Sequence, residues 1–173
     1  LGDVYKRQQL GQSGSNSNAI SNSGSVTYQG QGTALQTAGV NAPALVVQSI
    51  AGGGGWIGTV SGNATLGIQG SGSGTAGAVE VISNHDSVTT EGRNSAGLLV
   101  QSIGGGGGYT GLTLGDALTL GANQQGTTVG GAVDVTNRSS IATLGLNAVG
   151  LMAQSVGGGG FISEANGTEN YTL

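Results

Sequence analysis

The sequence predicts an all-β protein built as a parallel β-helix, or β-solenoid, and three observations predict it. The chain repeats itself with a fixed period. Its apolar residues alternate with polar ones in short segments. Its composition is rich in glycine, 38 of 173 residues, with charged residues at 7% and aromatic residues at 3%. A helix would be weakened by about 1 kcal/mol at each interior glycine, and no stretch keeps a helical period. Glycine also lacks the Gly-X-Y spacing of collagen. Small, polar and β-branched residues in regular alternation suit a stacked solenoid.

The period is the first element. LVVQSIAGGGGW (45–56), LLVQSIGGGGGY (98–109) and LMAQSVGGGGF (151–161) are three copies of one motif. Gln48, Gln101 and Gln154 are separated by 53 residues in both steps (101 − 48 and 154 − 101). Gly39, Gly92 and Gly145 keep the same step, as do Asn41, Asn94 and Asn147. So do Thr37, Thr90 and Thr143, and the apolar trio Leu35, Val88 and Ile141. An aromatic closes each tract at Trp56, Tyr109 and Phe161, the last one residue early because its tract is one glycine shorter. A period of 20–50 residues or so is the signature of a repeat architecture. The three glutamines are therefore expected to play one structural role, extending an amide ladder or bonding turn backbone.

The glycine tracts are read as corners of the repeat, where glycine allows backbone angles and close approaches closed to other residues. They are not phosphate loops, which need Lys and Ser/Thr after the last glycine; the sole lysine is Lys6. Nor do they fit the strand–turn–helix setting of a dinucleotide fingerprint. Asp does not follow any tract at the spacing of glycine-rich calcium repeats.

The strands come next. Alternating apolar pairs occur at Leu45/Val47, Leu66/Ile68, Val79/Val81, Leu98/Val100, Leu118/Leu120, Val133/Val135 and Leu151/Ala153. Period-two alternation marks strands with one buried face. Three such segments per unit predict about three rungs in each 53-residue repeat, of about 18 residues each. Turns are expected at 70–74, 84–86, 123–126 and 137–140, where Gly, Ser, Asn and Asp cluster. With rungs about 4.8 Å apart, equivalent residues of successive repeats would be about 15 Å apart. That spacing would keep Trp56, Tyr109 and Phe161 from stacking, as plugs over core exposed at the glycine corners. It would also separate Glu80 from Asp134.

Chemistry is sparse. The one histidine, His85, adjoins Asp86 in SNHD, a turn-forming sequence; successive strand residues point to opposite faces and make poor partners. The acidic residues Glu80, Asp86, Glu91, Asp116, Asp134, Glu164 and Glu169 are dispersed. A glycosidase needs two carboxylates within about 5–9 Å. No catalytic, cofactor-binding or metal-binding residues are assigned, no cofactor is expected, and the chain is read as a non-enzyme. The N-x-S/T sequons at Asn63, Asn137, Asn166 and Asn170 are chance occurrences in an Asn- and Thr-rich chain. Net charge is −4 without a basic cluster, which argues against nucleic acid. There is no cysteine, hence no disulfide and no thiolate site. No apolar run reaches the roughly 18 residues of a membrane helix.

Residues 1–8, LGDVYKRQ, share nothing with the repeats, and DVYKRQ matches the translation of a transposase adapter used in sequencing libraries. They are read as an artefact, leaving residues 9–173 as a fragment of one solenoid domain.

The motif AGLLVQSIGGGGG (96–108), with VGLMAQSVGGGG (149–160), PALVVQSIAGGGG (43–55) and the upstream GAVEV (77–81) and GAVDV (131–135), resembles the passenger repeats of large bacterial autotransporters over residues 23–161. Departures from that pattern are Pro43, Ala51 and the four-glycine third tract. The resemblance implies a β-helical passenger exported by type V secretion to a Gram-negative cell surface, tied to the membrane only through a barrel C-terminal to Leu173. It implies a structural or adhesive stalk whose partner is a host or matrix ligand. Two other readings are carried forward, a carbohydrate-active β-helix enzyme and an ice- or crystal-binding solenoid with Thr-x-Thr arrays. The lack of a capping segment at either end predicts end-to-end self-association.

Overall fold

A computed structural model of the chain describes residues 20–22, 25–60, 64–67, 73–113, 118–121, 127–165 and 171–172. Residues 1–8 and the turns expected at 70–72 and 123–126 lie outside the described residues. The described residues are all β, without a helix.

Among the described residues each repeat contributes six strands. The first holds β1 (Ile20–Asn22), β2 (Val26–Gly32), β3 (Leu35–Thr37), β4 (Leu45–Ile50), β5 (Gly55–Val60) and β6 (Ala64–Leu66). The second holds β7 (Gly74–Ala76), β8 (Val79–His85), β9 (Ser87–Thr90), β10 (Leu98–Ile103), β11 (Gly108–Thr113) and β12 (Leu118–Leu120). The third holds β13 (Thr128–Val129), β14 (Val133–Asn137), β15 (Ser140–Thr143), β16 (Leu151–Val156), β17 (Gly160–Ala165) and β18 (Tyr171–Thr172). They form six three-stranded parallel sheets, and in every sheet the central strand comes from the second repeat.

The register corrects the expected three rungs per repeat. Each strand pairs with its counterpart one whole repeat away: Gln101 lies opposite both Gln48 and Gln154. One repeat therefore advances the stack by one strand spacing, about 4.8 Å, and equivalent residues are immediate neighbours. The extra strands are β1, β3, β5 and their counterparts. Most are two to four residues long, too short to display alternation. β5, GWIGTV, is longer but does not alternate at all.

Small shifts in the length of the step keep the stack in register, among them two in the third repeat. Val81 pairs with Val135, a step of 54, but Val88 pairs with Ile141, a step of 53, so the third repeat drops one residue at its β14–β15 corner. Gly108 pairs with Gly160, a step of 52, which absorbs the missing glycine of the third tract.

The main core lies among three of the sheets. Val79, Val81, Val88, Leu98, Val100 and Val47 are buried together, with Val26, Tyr28, Leu35, Val133, Val135 and Ile141 packed against them. Strand β10 is buried on both faces. Its other side carries Leu99, which joins Ala96 and Tyr109 in a second cluster flanked by Trp56 and Met152. Burying one such aliphatic side chain contributes about 1.5–3 kcal/mol. The alternation of β8 is the clearest: Val79, Val81, Ser83 and His85 point inward, Glu80 and Asn84 outward.

Candidate functional site

The QSI motif divides its side chains between two corners. Gln48 donates from Nε2 to Gln101 Oε1, and Gln101 donates from Nε2 to Gln154 Oε1, both over 2.5 Å. The expectation of one shared role for the three glutamines holds. The ladder lies against the glycine corner: a Cβ on Gly55 would stand 3.3 Å from both amide atoms of Gln48. At that corner Gly106, Gly107 and Gly108 have φ of 116°, 95° and 109°, a region closed to side chains with a Cβ. This is why the tract is glycine and why the strand that follows it can turn back beneath the glutamines.

The serines of QSI point the other way. Ser49 Oγ accepts from Gly77 N at 3.1 Å, Ser102 Oγ donates to Gly77 O at 2.8 Å, and Gly131 N donates to Ser102 Oγ at 2.7 Å. They stitch the QSI strands to the GAVEV and GAVDV entries of β8 and β14. A third corner repeats as well. Thr37, Thr90 and Thr143 donate from Oγ1 to the carbonyls of Ala42, Ser95 and Ala148 at 2.6, 2.7 and 3.4 Å. Within each loop Asn41, Asn94 or Asn147 takes a left-handed φ of 52–56°, which Asn tolerates better than other residues with a Cβ. The threonine and asparagine periods thus mark one turn, copied three times.

His85 is not in the turn expected for SNHD. It closes β8 and is 8% exposed, whereas Asp86 is exposed beyond it. Its Nδ1 faces the carbonyls of Gly32 and Thr33 at 3.2 and 3.1 Å, and Nε2 faces Tyr28 Oη at 2.9 Å. Two acceptors at Nδ1 place the proton there, leaving Nε2 to accept from the tyrosine. Gly30 leaves the space this pair fills: a Cβ there would run into both His85 Nε2 and Tyr28 Oη. The third repeat, one residue short at this corner, has no histidine; Ser139 occupies the place, accepting from His85 N at 2.8 Å and bonding Ser83 Oγ at 3.0 Å. Sequence reasoning passed over Tyr28, because the pair spans 57 residues and breaks the period.

The carboxylates are also placed differently from expectation. Glu80 and Asp134 are direct neighbours on β8 and β14, with Thr27 on the other side of Glu80, and both are exposed. The estimate of about 15 Å assumed three rungs per repeat. Glu91 accepts from Gln36 Nε2 at 3.1 Å on an exposed edge. Asp116 and Glu169 lie outside the described residues. Among the described residues no three His, Asp or Glu side chains gather where they could hold a metal ion.

The aromatic residues are likewise in direct register, Trp56 beside Tyr109 and Tyr109 beside Phe161. Tyr109 is fully buried and Trp56 half-buried, so these two pack into the core and do not form an exposed stacking stripe. The outward rows of the sheets mix residue types: Thr75 and Val129 in one, Gln36, Thr89 and Ala142 in another. Neither row is a Thr-x-Thr array.

Comparison with protein-family models, with curated proteins and with solved structures finds no match to the chain.

Proposed function

We propose that the chain is a segment of a β-solenoid stalk, one 53-residue repeat per turn, displayed on the outside of a bacterial cell as part of an autotransporter passenger. The observation that carries this reading is the use made of the repeated motif. Its glutamine, serine and glycines join one repeat to the next, and its threonine and asparagine shape a turn that every repeat copies, leaving the outward rows free to vary, as in a spacer that can be lengthened by adding copies. The resemblance of the motif to autotransporter passenger repeats supplies the cellular setting. The stalk is a non-enzyme, and its ligand, where it has one, is a host or matrix surface.

The test is display. Residues 9–173 are placed between a Sec signal and an autotransporter barrel, and surface exposure is read by antibody labelling and protease shaving of intact cells. Efficient labelling supports the reading; accumulation of folded protein in the periplasm sinks it.

One observation favours a second reading, a carbohydrate-active enzyme: the adjacency of Glu80 and Asp134. A glycosidase holds one carboxyl protonated by burial in an apolar site, and both of these are exposed. Release of reducing ends from polysaccharides, abolished by Glu80→Gln and by Asp134→Asn, would establish the enzyme instead.

A further inference from the structure

One flank of the solenoid carries charge in a pattern that its own chain leaves unanswered. Strand β8 lies between β2 and β14, so its outward side chains point sideways, across the stack and not along it. Glu80 and Asn84 are exposed on that flank with Ile82 half-buried between them, whereas Val79 and Val81 face the core.

The flank is divided into rows by the register. At one end Glu80 and Asp134 are neighbours, both exposed, and like charges opposite each other repel. At the other end stands Arg138, also exposed, beside Asn84; it continues the ladder of β14 by donating from N to Ser83 O at 2.7 Å. Arg138 lies four residues beyond Asp134 on the same strand line, about 13 Å away, too far to pair with either acid of its own chain. Between the two ends runs an uncharged row with Ile82 at its centre, flanked by Gln29 and Thr136.

A second copy laid face to face on this flank can be related by a two-fold axis along the strands or along the stack. The axis along the strands sets Glu80 against Glu80 of the second copy and leaves Arg138 facing no acid. The axis along the stack reverses the strands. It sets Ile82 against Ile82 and Asp134 against Arg138, the latter twice because the contact is isologous. Glu80 is one strand spacing from Asp134, so the guanidinium fork of the second copy answers both carboxylates. We propose that this flank pairs with the same flank of a second copy about an axis along the stack, so that two solenoids lie side by side and point the same way. Aligned sheets pack about 10 Å apart. The paired face measures about 16 Å by about 14 Å, smaller than a standard interface, so association over three repeats is weak and is best read by trapping it. The pairing does not rest on the display reading.

The native chain has no cysteine, so single exposed cysteines report which positions meet. Gln29→Cys and Thr136→Cys of the full chain are treated with a short bis-maleimide, each alone and mixed, at high protein concentration and low salt. About the proposed axis each position faces itself, so both homodimers form and outpace the mixed product. Adding Arg138→Glu to either variant is expected to slow its homodimer by about tenfold or more, because like charges then face each other, with the β circular dichroism unchanged. Exchanging the pair, Asp134→Arg with Arg138→Asp, restores the rate. A mixed product that forms faster than the homodimers overturns the proposal in favour of the other axis. Absence of cross-linking overturns it too, as does cross-linking indifferent to both salt and Arg138→Glu. Should a charge variant not fold, the pattern and salt dependence of the two cysteine variants decide alone.

Discussion

Gln101 donates to Gln154 and accepts from Gln48, each over 2.5 Å, with its own side chain wholly shielded from solvent. The two outer glutamines make one such bond each and are only partly buried. Replacing Gln101 by Leu leaves a donor and an acceptor on its neighbours facing an apolar side chain. A loss of about 2–4 kcal/mol follows, from about 1–3 kcal/mol for each stranded group with some relief from water at the edges. Gln48→Leu and Gln154→Leu should each cost about 1 kcal/mol. Urea unfolding of the three variants checks the ordering, and equal losses at all three positions would show that the ladder does not act as a chain.

The glycine corner makes a second prediction through a contrast. Gly107 has φ of 95°, and a Cβ there would run into the carbonyl oxygen of Gly159 on the next repeat. Gly32 has φ of 68° with nothing within 4 Å of a Cβ. Gly107→Ala combines backbone strain with a clash against immovable backbone and should cost more than about 3 kcal/mol. Gly32→Ala meets only the strain of a left-handed conformation, about 1 kcal/mol. Melting temperatures of the two variants measure the difference.

Much of this was legible in the sequence: the period, the glycine corner and the shared role of the glutamines. The count of strands per repeat was not. Alternation reports which face of a strand is buried but not which strand lies beside it. Segments such as Leu35–Thr37 and Thr128–Val129 are too short to alternate visibly. The register was nonetheless encoded in Gln48, Gln101 and Gln154. An amide reaches only the adjacent strand, so a ladder of glutamines with a period of 53 residues requires that one repeat be one strand spacing. The Tyr28–His85 pair was invisible for the opposite reason, since it occurs once and carries no period.

Thr110 offers a stabilising change. It is fully buried between Ile57 and Ile162, and its Oγ1 has no hydrogen-bond partner. Valine has nearly the same shape and suits the two isoleucines beside it. Removing a buried, unsatisfied hydroxyl should raise stability by about 1 kcal/mol. Chemical denaturation of Thr110→Val checks this; a loss of stability would mean that the hydroxyl is bonded in solution.

The His85 tautomer is open to direct observation. With Nδ1 between two carbonyls, the neutral ring should show a protonated Nδ1 and a bare Nε2 in ¹⁵N NMR correlation spectra. Tyr28→Phe removes the donor to Nε2 and should cost about 1 kcal/mol without changing the tautomer, because the carbonyls of Gly32 and Thr33 remain. A protonated Nε2 in the native chain would contradict the arrangement.

The last prediction concerns Glu80 and Asp134. In-register like charges on neighbouring strands repel each other, and here the nearest residue across the sheet from Glu80 on its other side is the uncharged Thr27. Neutralising either acid should therefore stabilise the fold, by a few tenths of a kcal/mol at low ionic strength. The second neutralisation should add almost nothing, since the repulsion is already gone. Both carboxylates are exposed, so salt should screen the effect, with a Debye length of about 10 Å at 0.1 M. Denaturation midpoints of Glu80→Gln, Asp134→Asn and the double variant at low and high salt form a cycle that isolates the pair. A coupling that is absent at low salt would place the two side chains apart, and one that grows with salt would require a cause other than their charge.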